Sequence, residues 1–498
     1  MPVRAWHLSL PIDRDDPAPV VRQIARAIAA HIGAGRLRAG ERLPGSRALS
    51  QVLHVHRNTV AAAYGELTAE GWVEARPGGG TFVAAAIPAP DHRQPRRGHA
   101  PEGPAPGPGF DLPPGPTPPA PRPTRGVIDL EGSIPDLRLV PVAELARSYR
   151  RALRRPGILA YGDPRGQERL RAAVGAMLRS TRGLNPDPSR MLITRGSQLA
   201  LALAARALVR AGDVVAVEDL GYHAAWEAFR AAGARVVPVP VDGEGLRVDE
   251  LEAVARREPL KAVYVTPHHQ YPTTVTLPAA RRLALLRLAE AERFAVIEDD
   301  FDCEFHYDSS PVLPLAAGDR AGVVVYVGTL SKVLAPGLRL GYVHAPAAVI
   351  DRFAEHRRYL DRQGDGPLEL AIAELLEDGE IPQHAWRMRR VYAARRDALA
   401  AALAEHLAGE LTVDVPPGGM ALWCRAAPGI DVDLWQERAL AAGVGFETAR
   451  EFAFDGRPGP ALRLGYCAHP EADLVEAVRR MAASRPPATR RPAKRRSR

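Results

Sequence analysis

Apolar residues recur at two different spacings along the chain, and these spacings predict two kinds of structure. Before residue 85, Val20, Ile24 and Ile28 are spaced for one face of a helix that ends near Gly33. After residue 126, short β-branched runs alternate with longer stretches that are rich in Ala, Leu and Arg. These runs begin at Val214, Val236, Ala262, Phe294 and Val323. Such alternation predicts an α/β fold of βα units, with a mostly parallel sheet covered by helices on both faces.

Two further helices and a β-hairpin are predicted in the N-terminal part of the chain. Ser46 is expected to cap a short second helix. A third helix is predicted from about Arg57 to Glu70, with Val60 and Leu67 buried. The hairpin is predicted from Trp72 to Val83, around a glycine-rich turn.

The first turn of the third helix has the side chains that a DNA-binding helix needs. Arg57, Asn58 and Thr59 would lie on its outer face. A helix in the major groove contacts base edges from its N-terminal end, and the dipole at that end attracts phosphate. The pattern therefore indicates a three-helix domain with a hairpin wing that binds double-stranded DNA; a three-helix domain whose basic face has no such role stays open as the alternative.

A proline-rich segment separates the two patterned regions. Residues 86–125 are dominated by Pro, Gly and Ala, a composition that forms a spacer and not a packed core. We therefore predict a DNA-binding domain over residues 15–85, a linker over residues 86–125 and a large domain over residues 126–483. Residues 484–498 are predicted to form a basic, disordered tail.

Composition and charge narrow the class of protein. A chain of 498 residues with 46% hydrophobic and 25% charged residues is typical of a globular protein with more than one domain. The formal net charge of +8 comes mostly from the basic tail, so it does not by itself indicate DNA binding by the folded part. Three widely separated cysteines favour a reduced compartment. We find no signal peptide and no membrane-spanning run, and we expect a cytoplasmic protein that does not bind membranes.

One lysine in the large domain has sequence neighbours that suggest a chemical role. Lys332 lies in the segment GTLSKVLAPGLRLGY, and Asp299 ends an apolar strand, where a buried carboxylate needs a partner. Ser197 begins a helix whose free N–H groups suit a phosphate, and Arg339 would clamp the same group. These groups match three parts of pyridoxal 5′-phosphate (PLP): its aldehyde, its pyridine nitrogen and its phosphate. The sequence predicts PLP bound as an aldimine on Lys332, with its pyridine nitrogen against Asp299.

The N-terminal segments resemble a known DNA-binding domain. GRLRAGERLPGSRALS, HRNTVAAAYGEL and PGGGTFV are similar to the motifs of the winged helix-turn-helix in GntR-type bacterial regulators. Gly45 and His56 depart from that pattern, because the family usually has serine at both positions. The resemblance implies DNA contacts from Arg47, Arg57, Asn58, Thr59 and Gly79.

From Asp129 to Ala483 the chain resembles the fold-type I aminotransferases of class I. The matching motifs are YGDPRGQERLR (161–171), EDLGYHAAWEAF (218–229), VTPHHQYPT (265–273), IEDDFDCEFHY (297–307), the Lys332 segment and LRLGY (462–466). The resemblance implies that Lys332 is the catalytic, cofactor-binding lysine and that Asp299 contacts the pyridine nitrogen. It also implies that Tyr222 stacks on the cofactor ring.

The same resemblance implies roles for further residues. Tyr161 would reach the phosphate of a neighbouring subunit's cofactor, and Arg463 would bind the carboxylate of an amino-acid-like ligand. The cofactor's own phosphate would be held by Ser197, Thr329, Ser331 and Arg339.

Several positions depart from the aminotransferase pattern. Phe301 replaces a usual tyrosine, and Tyr271 replaces a usual asparagine, so we hypothesise that Tyr271 donates to the cofactor's 3′-oxygen. Thr274 stands where glycine is usual. His268 and His269 are adjacent, but no third ligand is clustered with them in the sequence, so we predict no metal site.

Together, the two resemblances describe the architecture of MocR-type transcriptional regulators. TPHHQYPT and EDDFDCEF are closer to that subfamily than to catalytic aminotransferases. The resemblance implies a homodimeric regulator that binds a DNA operator and senses PLP, or a small amine or amino acid. An active PLP-dependent aminotransferase that carries a DNA-binding domain stays open as the alternative, because both functions need Lys332 and Asp299. Phe301 and Tyr271 argue against efficient turnover.

Overall fold

The structure, a computed structural model, describes residues 10–87, 110–111, 126–308 and 312–487. Two units are distinguished, Met1–Pro118 and Pro119–Arg498. The boundary between them falls in the range predicted to be a linker. Most of that range, residues 86–125, and most of the predicted basic tail, residues 484–498, lie outside the described residues.

The first unit contains three helices followed by an antiparallel hairpin. In chain order these are α1 (Val20–Gly33), α2 (Ser46–Leu53), α3 (Arg57–Ala69), β1 (Val73–Arg76) and β2 (Gly80–Val83). The two strands pair antiparallel along their full length, with glycines at positive φ in the turn between them. This is the element order that the sequence pattern predicts.

All three helices contribute to one apolar core. Val60, Tyr64 and Leu67 of α3 are buried, and they pack in the same cluster as Ile24 of α1. The Tyr64 hydroxyl donates a 2.7 Å hydrogen bond to the main-chain oxygen of Pro44. This bond fixes α3 against the segment that precedes α2, so the first turn of α3 is held in a defined position.

The predicted cap of α2 is wrong. Gly45 is the N-cap residue, and Ser46 lies inside the first turn of the helix, where its hydroxyl accepts a 3.3 Å hydrogen bond from Arg57 Nε. At the start of α3, His56 is the N-cap residue, and its Nδ1 accepts a 3.2 Å hydrogen bond from the Asn58 N–H. A histidine nitrogen therefore satisfies a free N–H group that a serine hydroxyl satisfies in many helices.

The second unit contains the remaining elements. Its helices are α4 (Val142–Leu153), α5 (Glu168–Arg182), α6 (Ser197–Leu208), α7 (His223–Ala231), α8 (Val248–Arg257), α9 (Ala279–Glu292), α10 (Leu315–Gly318), α11 (Ala347–Leu360), α12 (Gly366–Glu377), α13 (Glu380–His406), α14 (Val432–Ala441) and α15 (Glu471–Ser484). Within the described part of the chain, none of the helices has the length and hydropathy needed to cross a bilayer.

The strands of the second unit follow in the same numbering. They are β3 (Ile128–Asp129), β4 (Met191–Thr194), β5 (Val214–Glu218), β6 (Arg235–Val239), β7 (Val241–Asp242), β8 (Gly245–Leu246), β9 (Leu260–Val265), β10 (Ala295–Asp300), β11 (Val324–Thr329), β12 (Gly341–His344), β13 (Leu411–Val413), β14 (Ala421–Ala426), β15 (Val444–Gly445), β16 (Glu447–Thr448) and β17 (Ala461–Gly465).

Seven strands form the main sheet, in the order β4-β12-β11-β10-β9-β5-β6. Neighbouring strands are parallel except for β12, which is antiparallel to both β11 and β4. The five strands predicted from β-branched runs are β5, β6, β9, β10 and β11. The prediction of a mostly parallel sheet is confirmed.

Successive side chains of the main sheet enter two separate cores. On β10, Val296 packs in a cluster with residues of α5, α8, α9 and α12. The next residue, Ile297, packs on the other face with residues of α6, α7 and α11. Because side chains alternate across a strand, helices on both faces bury most residues of these central strands.

A smaller antiparallel sheet, in the order β13-β14-β17-β16, packs on α13, α14 and α15. Leu462 and Leu464 of β17 lie in this core, together with Trp435. Arg463 lies between the two leucines and must point to the opposite face of the sheet. The alternation along β17 therefore aims one arginine away from an apolar core.

Candidate functional site

Most of the site residues predicted in the large domain lie where strands of the main sheet end. Asp299 is the penultimate residue of β10, Thr329 is the last residue of β11, and Ser197 begins α6 just after β4. Lys332 lies in the turn that follows β11. The carboxyl ends of parallel strands meet at one edge of a sheet, which is where ligands bind in open α/β folds.

Asp299 is buried and has one free oxygen. The Tyr264 hydroxyl donates a 2.9 Å hydrogen bond to its Oδ2. Its Oδ1 is buried and has no hydrogen-bond partner among the described residues. Burial raises the pKa of Asp299 to about 7, against the opposing effects of the Tyr264 hydrogen bond and the nearby Lys332. A buried carboxylate with a free oxygen fits a cationic N–H donor, such as a protonated pyridine.

Lys332 is half-buried in the same region, and its amine has a defined partner. Its Nζ donates a 2.8 Å hydrogen bond to the main-chain oxygen of Ser133. Burial, and then the charge of Arg463, lower the pKa of the amine, whereas Asp302 and Asp299 oppose this effect. A lowered pKa favours the neutral amine, which is the form that attacks an aldehyde.

Ser133, which accepts a hydrogen bond from Lys332, also accepts one from Arg463. The Arg463 Nη2 donates a 2.5 Å hydrogen bond to the Ser133 hydroxyl, and its Nη1 lies 3.6 Å from a Glu447 carboxylate oxygen. The guanidinium also lies over the Tyr271 ring, 4.7 Å from its centroid. The Nε and Nη1 atoms are buried without a hydrogen-bond partner in the described parts of the chain. Two N–H groups are therefore available to a carboxylate.

Strand register brings the predicted phosphate-binding residues together. Thr329 pairs with Gly341, and Gly341 pairs with Thr194, two residues before Gly196. A side chain at Gly341 would collide with the Gly196 backbone at 2.9 Å, so only glycine allows this approach. The start of α6, which includes Ser197, therefore lies close to the end of β11, where Ser331 and Thr329 are buried.

Arg339 joins this group across the start of α6. Its guanidinium would lie 3.0 Å from a Cβ at Gly196, and its Nη2 donates a 3.3 Å hydrogen bond to the Arg195 main-chain oxygen. Gly196 is the N-cap residue of α6 and has no side chain to cap the helix, so the first N–H groups of α6 are open to a ligand. A helix N-terminus with an adjacent arginine is a site for a phosphate.

Tyr222 and Tyr271 line the space next to Asp299. Their rings meet edge to face at 5.8 Å, and the Tyr222 hydroxyl lies 3.4 Å from the Gln198 amide oxygen, to which it donates. Burial, and then the charge of Asp299, raise the pKa of Tyr222. Burial raises the pKa of Tyr271 to about 12, so its hydroxyl keeps its proton at neutral pH. Phe301 contacts the Tyr271 ring edge to face at 5.8 Å.

Tyr161 lies at the surface, away from the buried group. It is 82% exposed, and its ring contacts the Arg362 guanidinium at 5.1 Å. This exposure leaves Tyr161 free for a neighbouring subunit, as the sequence resemblance implies.

The structure places three further residues in the site. Ser133 contacts both Lys332 and Arg463, Tyr264 donates to Asp299, and Glu447 lies near Arg463. Tyr264 lies in a predicted strand next to that of Asp299, so its position in the sheet was available from the pattern. Ser133 follows a two-residue strand, and Glu447 belongs to another. Strands this short have no periodic pattern that can be recognised in the sequence.

The residues predicted to contact DNA lie on the first unit. Arg47, Arg57 and Asn58 are exposed, and Thr59 is half-buried. Arg57 reaches back to α2 through its hydrogen bond to Ser46, which orients its guanidinium at the start of α3. In the hairpin turn, Gly79 donates a 2.9 Å hydrogen bond from its N–H to the Arg76 main-chain oxygen. The turn is therefore compact enough to approach a DNA backbone.

The residues of the large domain fit PLP on three independent grounds. The free Asp299 oxygen suits the pyridine N–H, the Lys332 amine suits the aldehyde, and the start of α6 with Arg339 suits the phosphate.

Family models of known proteins match both the N-terminal and the C-terminal part of the chain. Residues 125–481 match the family model for aminotransferase class I and II, and residues 20–83 match that for bacterial regulatory proteins of the gntR family. The chain is 33% identical over 462 residues to a probable rhizopine catabolism regulatory protein, MocR, of Rhizobium meliloti; the match covers 92% of this chain and 92% of that protein.

Solved structures match the second unit. A multiple substrate aminotransferase from Thermococcus profundus has a TM-score of 0.68 and 31% identity, and the match covers 72% of this chain and 91% of that one. An alpha-aminoadipate aminotransferase, LysN, from Thermus thermophilus, solved with N-(5′-phosphopyridoxyl)-L-leucine, has a TM-score of 0.66 and 31% identity, with 72% and 92% coverage.

Both domain families are thus present in one chain, in the order found in a regulator that matches it along 92% of its length. The chain belongs to the MocR-type transcriptional regulators, DNA-binding proteins that join a gntR-family winged helix-turn-helix to a PLP-dependent domain of the class I and II aminotransferase family.

Proposed function

We propose that this regulator holds PLP on Lys332 and changes its affinity for operator DNA in response to PLP itself, or to an amine or amino acid that enters the same site. The observation that carries the proposal is the position of Ser133. Its main-chain oxygen accepts from the Lys332 amine at 2.8 Å, and its hydroxyl accepts from Arg463 at 2.5 Å. An amino acid needs an amine-handling group and a carboxylate-binding group side by side, and these two residues supply both.

In this proposal, the remaining residues of the site bind the cofactor. Ser197, Thr329, Ser331 and Arg339 bind the phosphate. Asp299 keeps a proton on the ring nitrogen, and the Tyr222 ring packs against the face of the cofactor. Bound PLP supplies an aldehyde that takes up amines and a ring that withdraws electrons from the neighbouring carbon.

Arg463 favours an effector that carries a carboxylate. Its buried Nε and Nη1 have no hydrogen-bond partner among the residues that the structure describes. A carboxylate can accept a charge-assisted hydrogen bond from an unpaired N–H of this guanidinium, which an amine without a carboxylate cannot do. We therefore expect amino acids to act at lower concentrations than the amines that lack only the carboxylate.

The test is DNA binding by the full chain with a panel of matched ligands. DNA selected in vitro for binding is titrated with the PLP-loaded protein at fixed salt, and then with pairs of an amino acid and its decarboxylated amine. At least one pair should change the dissociation constant for DNA by about fivefold or more, a typical coupling between two sites. Arg463→Gln should lose the response to the amino acid and keep the response to the amine. Arg425→Gln, which removes an exposed arginine, is the matched control. Equal DNA affinity across the whole panel would contradict the proposal.

We also propose that two chains pair through the surface that carries Tyr161. Leu159, Tyr161 and Tyr359 are 78%, 82% and 88% exposed, although large apolar side chains are usually covered. Arg362, three residues after Tyr359, contacts Tyr161, so these residues lie near one another. A symmetric dimer would present two DNA-binding domains to two half-sites.

The mass of the protein in solution tests this pairing. Light scattering should give twice the mass of the chain for the wild type and for Leu283→Arg, which alters an exposed leucine on α9. Tyr359→Arg should shift the protein to the monomer, because a buried unpaired charge opposes association. A monomeric wild type would rule out the pairing.

An active aminotransferase is the second candidate, favoured by the placement of Lys332 close to the buried Asp299 in one site. Turnover requires release of a keto acid, and this release can be measured with an amino acid and a keto-acid acceptor. Keto-acid formation that disappears in Lys332→Ala would support this candidate. A ligand-dependent change in DNA affinity without keto-acid formation would support the sensor alone.

A further inference from the structure

Three histidines meet outside the groups that hold the cofactor. One ring nitrogen from each of His268, His269 and His306 lies within 4.8 Å of the others. His268 and His269 follow β9, and His306 follows β10, so two neighbouring strands of the main sheet bring them together. The sequence pattern places two of them side by side but gives no reason to join His306 to the pair.

The ring nitrogens of this cluster are short of partners. The Nε2 atoms of His268 and His306 are hydrogen-bonded to each other. His268 Nδ1, His269 Nε2 and His306 Nδ1 are all buried without a hydrogen-bond partner in the described parts of the chain. Buried polar atoms are nearly always satisfied, and a cation bound by the three Nε2 atoms would satisfy His269 Nε2 and leave His268 Nδ1 to face Asp300.

Two carboxylates lie close to the Nδ1 atoms of His268 and His269. Asp302 Oδ1 lies 2.7 Å from His269 Nδ1. Asp300 Oδ1, itself buried and unpartnered among the described residues, lies 3.9 Å from His268 Nδ1. Carboxylates that accept from the far nitrogen of a histidine orient metal ligands, and here they would also offset the charge of a divalent ion.

One arginine lies close to the carboxylates of this cluster. Arg182 is occupied by an ion pair with Glu304 at 2.8 Å and lies 3.6 Å from Asp300.

We propose that His268, His269 and His306 bind a divalent transition-metal ion of the zinc type, with Asp302 and Asp300 as the carboxylates that orient them. Three imidazoles with room for a fourth, non-protein ligand are a known zinc coordination set, and imidazole nitrogen also suits nickel, copper and cobalt ions. The site lies beside β10, the strand of Asp299, and does not depend on the proposed effector or on PLP.

The test uses the full chain without an affinity tag, stripped with a chelator and free of PLP. Co²⁺ is titrated in as a coloured probe and then displaced with Zn²⁺. The wild type should bind about one Co²⁺ per chain, with the ligand-field absorption of a four-coordinate site, and should melt at a higher temperature with Zn²⁺ than without it. His306→Gln and His268→Gln should abolish this absorption, and Asp302→Asn should weaken binding by roughly 10- to 100-fold.

The matched control is His384→Gln, which alters a histidine buried on α13 away from the cluster and should leave Co²⁺ binding unchanged. The melting temperature of the wild type with and without Zn²⁺ decides the question even if a histidine variant does not fold. The proposal is overturned if the wild type shows no four-coordinate Co²⁺ absorption, or if His306→Gln binds Co²⁺ as the wild type does.

Discussion

The Lys332 amine and the Arg463 guanidinium are joined through a single residue, because Ser133 accepts a hydrogen bond from each. The lysine bonds to the main-chain oxygen of Ser133, and the arginine bonds to its side chain. A substitution of Ser133 can therefore release the arginine and leave the lysine bond in place.

Ser133→Ala should selectively weaken the binding of carboxylate ligands. The hydroxyl orients a buried guanidinium, and the loss of a hydrogen bond to a charged group costs about 1.5–3 kcal/mol. We expect the concentration of amino acid that half-saturates the site to rise by roughly tenfold or more, as followed by the visible absorbance of the bound cofactor. Affinity for PLP should stay within about twofold of the wild type. An equal loss for amines without a carboxylate would show that Ser133 acts on Lys332 instead.

Asp299→Asn should weaken PLP binding, because it removes the charge that faces the ring nitrogen. A charge-assisted hydrogen bond of this kind contributes about 1.5–3 kcal/mol, which corresponds to a roughly 10- to 100-fold change in dissociation constant. An absorbance titration with PLP measures the change. Unaltered affinity would remove Asp299 from the cofactor site.

The raised pKa of Asp299 also predicts a dependence of stability on pH. Burial raises this pKa from 3.8 to about 7, so between these values the folded protein without PLP holds a proton that the unfolded chain has released. The free energy of unfolding of the wild type, relative to Asp299→Asn, should therefore fall as the pH rises from about 4 to about 7, by at most about 4 kcal/mol. Urea unfolding across this range measures the difference. A constant difference would show that Asp299 is ionised throughout.

The sequence predicted the parts of the site that lie on regular strands and helices. The β-branched run that ends at Asp299, and the strand, turn and helix at Ser197, have periodic patterns that can be recognised locally. Ser133 could not be predicted, since it bonds to residues 199 and 330 positions away and lies near a two-residue strand. Such contacts depend on the packing of the whole domain.

Local sequence patterns also failed to predict the histidine cluster and the cap of α2. His306 lies 38 positions from His268, and only the parallel pairing of β9 with β10 brings their loops together. Ser46 has a side chain suited to a cap, but the backbone begins α2 one residue earlier than a serine cap would require, with Gly45 as the N-cap. Residue type alone did not determine where the helix starts.

Tyr271→Phe tests whether this tyrosine replaces the donor that Phe301 lacks. Its hydroxyl has a pKa of about 12 and is therefore a hydrogen-bond donor at neutral pH. A donor to the cofactor's 3′-oxygen stabilises the ionised oxygen, so its removal should raise the pH midpoint of the bound cofactor's absorbance by about one unit. Phe452→Leu, which alters another ring in contact with Tyr271, is the control. An unchanged midpoint in Tyr271→Phe would leave the 3′-oxygen with another donor.

Arg57→Ala should weaken the binding of selected DNA by roughly 10- to 100-fold, because an arginine that contacts a base contributes about 1–3 kcal/mol. Affinity is measured at several salt concentrations. If Arg57 contacts a phosphate instead, the loss should be equal for all sequences, and the slope of log affinity against log salt should fall by about one. Arg287→Ala removes the same charge from α9 in the other unit and should have no effect. Full DNA affinity in Arg57→Ala would place the base-contacting helix elsewhere.

His56 should stabilise the DNA-binding domain through its cap on α3. Its Nδ1 accepts the Asn58 N–H at 3.2 Å, and removal of an N-cap acceptor costs about 1 kcal/mol. His56→Ala should therefore lower the free energy of unfolding of this domain by about that amount, and His56→Ser should restore most of it, because a serine hydroxyl can accept the same N–H. Urea unfolding monitored by hydrogen exchange at the amides of α3 reports on this domain within the full chain. If His56→Ser is as unstable as His56→Ala, the imidazole stabilises α3 by packing and not by its ring nitrogen.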